Sequence, residues 1–144
     1  MTPEVSEEPV AAESMTGPEL AESLLRESDD RGARAATRLL GAYDDGSWLR
    51  RLMEDRSLET AADRPMIKRS GAHRAVDWDA LGRLMLTLGW SHRATRSQVV
   101  VLEVAASLVG GCAVQLRQVV EALDEAELRL VLRAVEEAAH GPSS

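Results

Sequence analysis

Apolar residues recur along this chain at intervals of three and four, the period of a helix with one face turned inward. Leu20, Leu24 and Leu25, then Ala35, Ala36, Leu39, Leu40 and Tyr43, follow that spacing. They predict helices at about 18–28 and 31–43, broken at Asp29-Asp30-Arg31-Gly32. Thr16 is placed to cap the first, with Pro18 in its opening turn, where a backbone N–H is not needed. Asp44-Asp45-Gly46 ends the second. Ser47 can cap a short third helix that buries Trp48, Leu49, Leu52 and Met53. That element stops near Asp55 or continues brokenly to Asp63.

Residues 64–76 show no such period. Pro65 disfavours helix at Arg64 and Ser70-Gly71 marks a turn, so the stretch is expected to be a loop. Asp77 then caps a helix from Trp78 to about Leu88, with Leu81, Leu84, Met85 and Leu88 on one face and Gly89 as its stop. Thr95-x-x-Gln98 has the spacing of a capping box, in which two side chains satisfy orphan backbone donors reciprocally. The run that follows, over 98–104, fits either a buried strand or a buried helix. The capping box, the Ala105-Ala106 continuation and the Gly110-Gly111 stop favour a central apolar helix near 97–109. A helix over about 114–122 comes next. Asp124-x-x-Glu127 then opens a long last helix to Ala139, with Leu128, Val131, Leu132 and Val135 as its core face, and Gly141-Pro142 ends it.

The pattern predicts an all-α fold, a compact bundle of six to eight short helices in a single domain over 17–141. Residues 1–16 hold two prolines and four glutamates with little to pack, and are expected to be a disordered acidic tail. Residues 142–144 are expected to be disordered too. Composition agrees with helices. With no Phe, one Tyr and three Trp, the core must be Leu, Val and Ala, which let helix axes approach closely. A chain of 144 residues suffices to bury roughly two-thirds of the surface its unfolded form exposes.

Charge is sorted into blocks. Fifteen Asp/Glu stand against seven Arg in 1–63, and seven against three in 101–144. Residues 64–100 invert this with Arg64, Lys68, Arg69, Arg74, Arg83, Arg93 and Arg96 against Asp77 and Asp79 alone. A positive block in a chain of net charge −7 suggests an anion-facing surface or a strip neutralised by the protein's own acidic helices. The excess of Arg over Lys follows most simply from a high-GC genome, although the guanidinium fork suits carboxylate and phosphate alike.

The residues argue against chemistry. Cys112 is the sole cysteine, which excludes an intrachain disulfide and favours a small buried side chain over a reactive thiol. His73 and His92 lie too far apart, on separate loops, to make a metal site without further ligands. Asp77 and Asp79 sit at a helix start, where the macrodipole favours their ionised form, so they are capping residues and not a catalytic pair. No phosphate loop or nucleophile arrangement is present. Neither catalysis nor a cofactor is expected. Trp48, Trp78 and Trp90 all lie near helix ends and are expected to pack at corners of the core, with Trp90 the one most suited to a binding surface.

Two readings of function remain. The first is a non-enzymatic interaction module or small regulator of a bacterial cytoplasm. Its basic loops would bind an acidic protein surface, or a second copy, through Arg64, Lys68, Arg69, His73, Arg74, Trp90, His92, Arg93 and Arg96. The second is a DNA-binding regulator with a degenerate helix-turn-helix at 78–108, touching DNA through Arg93, Arg96, Ser97 and Gln98. Against it, the would-be reading helix is almost wholly apolar after Gln98, and Glu103 would face phosphate unfavourably. No membrane association is expected, since the longest apolar run is too short to span a bilayer and the N-terminus lacks a signal-peptide pattern.

Overall fold

The chain starts and stops its helices often, with side chains that satisfy the free amides at most of the starts. The computed structural model describes residues 15–141 apart from 27, 72, 88, 92 and 111. The expected acidic tail up to residue 14, the last three residues and His92 therefore lie outside the described residues. Helices α1 (Gly17–Ser23), α2 (Arg31–Ala42), α3 (Ser47–Glu54) and α4 (Arg56–Ala62) come first. Strands β1 (Ile67–Ser70) and β2 (His73–Val76) follow, then α5 (Trp78–Met85), α6 (Arg96–Val109), α7 (Leu116–Ala122) and α8 (Glu125–His140). The fold is a compact helical one with little sheet.

Capping residues place the starts as their chemistry requires. Reciprocal capping boxes join Thr16 to Glu19, Thr95 to Gln98 and Asp124 to Glu127. Asp77 accepts from the Ala80 amide at 3.0 Å. The apolar run over 98–104 is helical: Val100, Val101, Leu102, Val104, Ala105 and Ala106 of α6 are all buried. Helix α6 packs against α2, α5, α7 and α8, and α2 packs against α1, α3 and α8. These two helices organise one core cluster that runs from Leu20 to Ala134. Arg38 of α2 ties the outer helices to it. Its Nε lies 2.8 Å from Glu22 of α1, and its Nη1 donates to Glu137 of α8.

Four expectations fail locally. The supposed loop over 64–76 contains an antiparallel hairpin, with Ile67 opposite Val76 and Arg69 opposite Arg74. Its strands are too short to declare a period, yet paired strands satisfy backbone groups that a bare loop would leave to water. Ser47 does not cap α3. Asp44, Asp45 and Gly46 all take left-handed backbone angles, with Gly46 at the cap position and Ser47 already helical. That turn instead aims the Asp45 carboxylate at the first amide of α1, Gly17 N, at 2.8 Å. Helices α1 and α5 stop at Ser23 and Met85, earlier than their apolar spacing suggests. Lastly, α8 presents Val131 and Ala134 to the core, while Leu132 and Val135 remain 53% and 44% exposed.

Candidate functional site

The hairpin overhangs a cleft of about 490 Å³. Its wall is Lys68 and Arg69 of β1 with His73, Arg74, Ala75 and Val76 of β2. Its floor comes from elsewhere: Leu24 and Leu25 just past α1, Ala33 and Thr37 of α2, Trp78 at the start of α5 and Val109 at the end of α6. Thr37 is buried but satisfied, its hydroxyl donating to the Ala33 carbonyl at 2.8 Å. Ser28 and two carboxylates, Asp30 and Asp79, complete the lining. Asp30 is committed to the N-terminus of α2, accepting from the Ala33 amide at 2.8 Å.

Register concentrates charge in this wall. Residues directly opposite across an antiparallel pair project from one face, with Cβ atoms about 4.5–5.5 Å apart, and like charges there are destabilising. Arg69 and Arg74 are such a pair. Among the described residues no ion pair engages Lys68, Arg69 or Arg74. The arrangement is suited to an anionic group seated between the two guanidinium forks, with apolar atoms beneath it.

The remaining expected contact residues lie elsewhere. Arg64 is exposed in the turn after α4, its amide donating to the Glu59 carbonyl at 3.2 Å. Arg96 opens α6, whose 14 residues span about 21 Å, so it sits a helix length from Val109 and the cleft. Its guanidinium lies 3.5 Å from Glu121 of α7, which Arg117 also engages at 3.1 Å. That part of the basic block is therefore met by one carboxylate of the same chain, Glu121. Arg93 is exposed in the turn preceding the Thr95 cap. The structure brings Lys68, Arg69, His73 and Arg74 together and leaves Arg93 and Arg96 at the far end of α6.

Two of the residues expected to meet DNA, Ser97 and Gln98, have structural duties. Ser97 is half-buried within 3.5 Å of the Tyr43 hydroxyl, and Gln98 accepts from the Thr95 amide at 2.9 Å. The Gln98 carbonyl also receives the Trp48 indole N–H at 2.8 Å. Trp48 is fully buried, with the Trp90 ring tilted against it at 6.2 Å and the Arg51 guanidinium 4.5 Å from its centroid. Trp90 is thus half-buried against a core ring.

Burial pushes the half-exposed Cys112 thiol up, and the Glu103 charge adds to the effect, so it holds its proton more firmly than a free thiol. Among the described residues no three His, Cys, Asp or Glu side chains gather as a metal site, and no helix is long and apolar enough to cross a membrane. Sequence reasoning missed the floor of the cleft altogether. Leu24, Leu25 and Val109 read as core residues, and only packing puts them under a cationic hairpin. Set against known proteins, the chain matches no family model, no curated protein and no solved structure.

Proposed function

We propose that this chain is a non-enzymatic interaction module, an adaptor or small regulator of a bacterial cytoplasm, that captures an acidic protein segment in the cleft under its β-hairpin. The observation that carries the reading is the direct pairing of Arg69 with Arg74 on the wall of an apolar-floored cleft. A carboxylate between them relieves their repulsion and gains charge-assisted hydrogen bonds. A neighbouring apolar side chain of the same segment then buries against Leu24, Leu25 and Trp78. Charge sets the rate and register of encounter, and the apolar floor sets residence. A cleft of this volume lies within the range of sites that enclose small ligands or a few side chains. The DNA reading has weaker support, because α6 turns Val100, Val101, Leu102, Val104, Ala105 and Ala106 into the core and Arg96 already meets Glu121.

The test is titration with a synthetic peptide alternating Asp and Leu, followed by amide chemical shifts. Shifts should concentrate on the hairpin and on the Leu24–Leu25, Ala33 and Val109 amides. The double reversal R69E/R74E should abolish them, and R93E/R96E should leave them unchanged. If R93E/R96E weakens binding as much as R69E/R74E does, the cleft is not the site. Retardation of duplex DNA that falls steeply with salt would favour the other reading.

A further inference from the structure

A second surface, sharing no residue with the cleft, lies on α8. Leu128, Leu132, Val135 and Ala139 follow one another at intervals of four, three and four, the spacing of a coiled-coil seam. The fold does not use this seam fully. Leu132 and Val135 stand 53% and 44% exposed, Ala139 is exposed, and Leu128 is half-buried. The core is instead met by the adjoining face, through Val131 and Ala134.

We infer that α8 is a self-association surface on which two copies of this chain pack their α8 helices antiparallel along the 128–132–135–139 seam. Charge selects the partner and its direction. One flank of the seam, with Val131 and Ala138, is turned toward the protein's own packing. The other flank carries exposed Glu136 and exposed Arg129, whose guanidinium also meets Glu125 one turn earlier at 2.7 Å and keeps further donors for a partner. In an antiparallel helix pair each flank meets its own copy, so Arg129 lies beside Glu136 of the partner subunit, and Glu136 beside Arg129 of the partner subunit. Both contacts are attractive, which is what a two-fold interface requires of the residues around its axis. A parallel pair would set this charged flank against the Val131 side, which the fold occupies.

The helix is already ordered before it meets a partner. Its start carries a capping box, and the Arg31 guanidinium donates to the Ala139 carbonyl at 3.0 Å near its end. Association therefore orders little new backbone. Sixteen residues give a contact about 24 Å long, at the small end of specific interfaces, so the pair is a reversible one.

Sedimentation equilibrium of the full chain, from micromolar to millimolar concentration, should show the mass rise from 15.6 kDa to twice that value. Leu132→Lys should hold it at the lower mass with the far-ultraviolet dichroism unchanged. Arg129→Glu should weaken association severalfold, and the exchange R129E/E136R should restore it. Because 129 and 136 are exposed, this pair of variants reads the interface even if Leu132→Lys perturbs the helix. A single species of 15.6 kDa at every concentration overturns the proposal. So does a dimer that survives Leu132→Lys with α8 intact, or an exchange variant that associates no better than Arg129→Glu.

Discussion

Replacing Gly41 with alanine tests the packing that positions every other element. Helices α1 and α2 approach so closely there that a Cβ on Gly41 would fall 2.5 Å from the Ala21 Cβ and 2.8 Å from the Gly17 carbonyl oxygen. Carbon atoms in contact sit about 3.5–4.0 Å apart, so the two helices must separate by about 1 Å to admit the methyl group. Neither neighbour can swing aside, since one is backbone and the other a single carbon. Within a helix, alanine is favoured over glycine by about 1 kcal/mol. Overpacking a well-filled contact costs about 1–3 kcal/mol, and here the shift also strains the contacts of buried Leu20 and Leu40. Two contacts this short place the overpacking at the upper end, about 3 kcal/mol, so the expected net loss is about 2 kcal/mol. Gly82 in α5 supplies the control, because a Cβ there meets nothing within 4 Å. Gly82→Ala should therefore gain about 1 kcal/mol from propensity alone. Urea unfolding followed by far-ultraviolet dichroism, with unchanged m-values, measures both. A Gly41→Ala protein as stable as the parent, or a Gly82→Ala protein that loses as much, would refute the close-approach argument.

Two further substitutions probe charge. Glu103 lies half-buried on α6, and burial raises its carboxyl above 4.5. A raised acid binds its proton more tightly when folded, so stability from this group declines as pH rises through that range. Glu103→Gln should raise the melting temperature at neutral pH and lose that advantage at acid pH; equal gains at both would disprove burial as the cause. Arg38→Gln removes the donor shared by Glu22 and the mostly buried Glu137, with an expected loss of about 1–2 kcal/mol. The Arg38 hydrogen bond holds Glu22 below 4.5, so its contribution is present above that value and fades as pH falls. The variant should accordingly show a flatter acid limb in its stability profile, and an unchanged limb would mean that the pair contributes nothing.

Much of the secondary structure was legible because its causes are local. Thr16, Asp77, Thr95 and Asp124 start helices where they were expected to, since a cap needs only a side-chain oxygen and an amide two or three positions on. The ambiguous run over 98–104 resolves as helix for the same reason: the Thr95–Gln98 box and Gly110 bracket it. The hairpin was less visible, being eight strand residues without a period of their own. Its basic residues were legible as chemistry, but not their register, which alone sets Arg69 against Arg74.

Period and charge along the chain thus determined an all-α fold, its capped starts and a cationic middle, because each follows from neighbours within about one helical turn. Which side of an amphipathic helix faces inward is another matter. Val135 is the same residue type as Val131 and Leu132 is at least as apolar, yet the docking of α8 on α2 turns both of them out. The separation of Arg96 from the hairpin and the apolar floor beneath Arg74 likewise arise from contacts between residues distant in the chain. Tertiary packing decided these, because side chains from separate helices meet only when the backbone between them has folded.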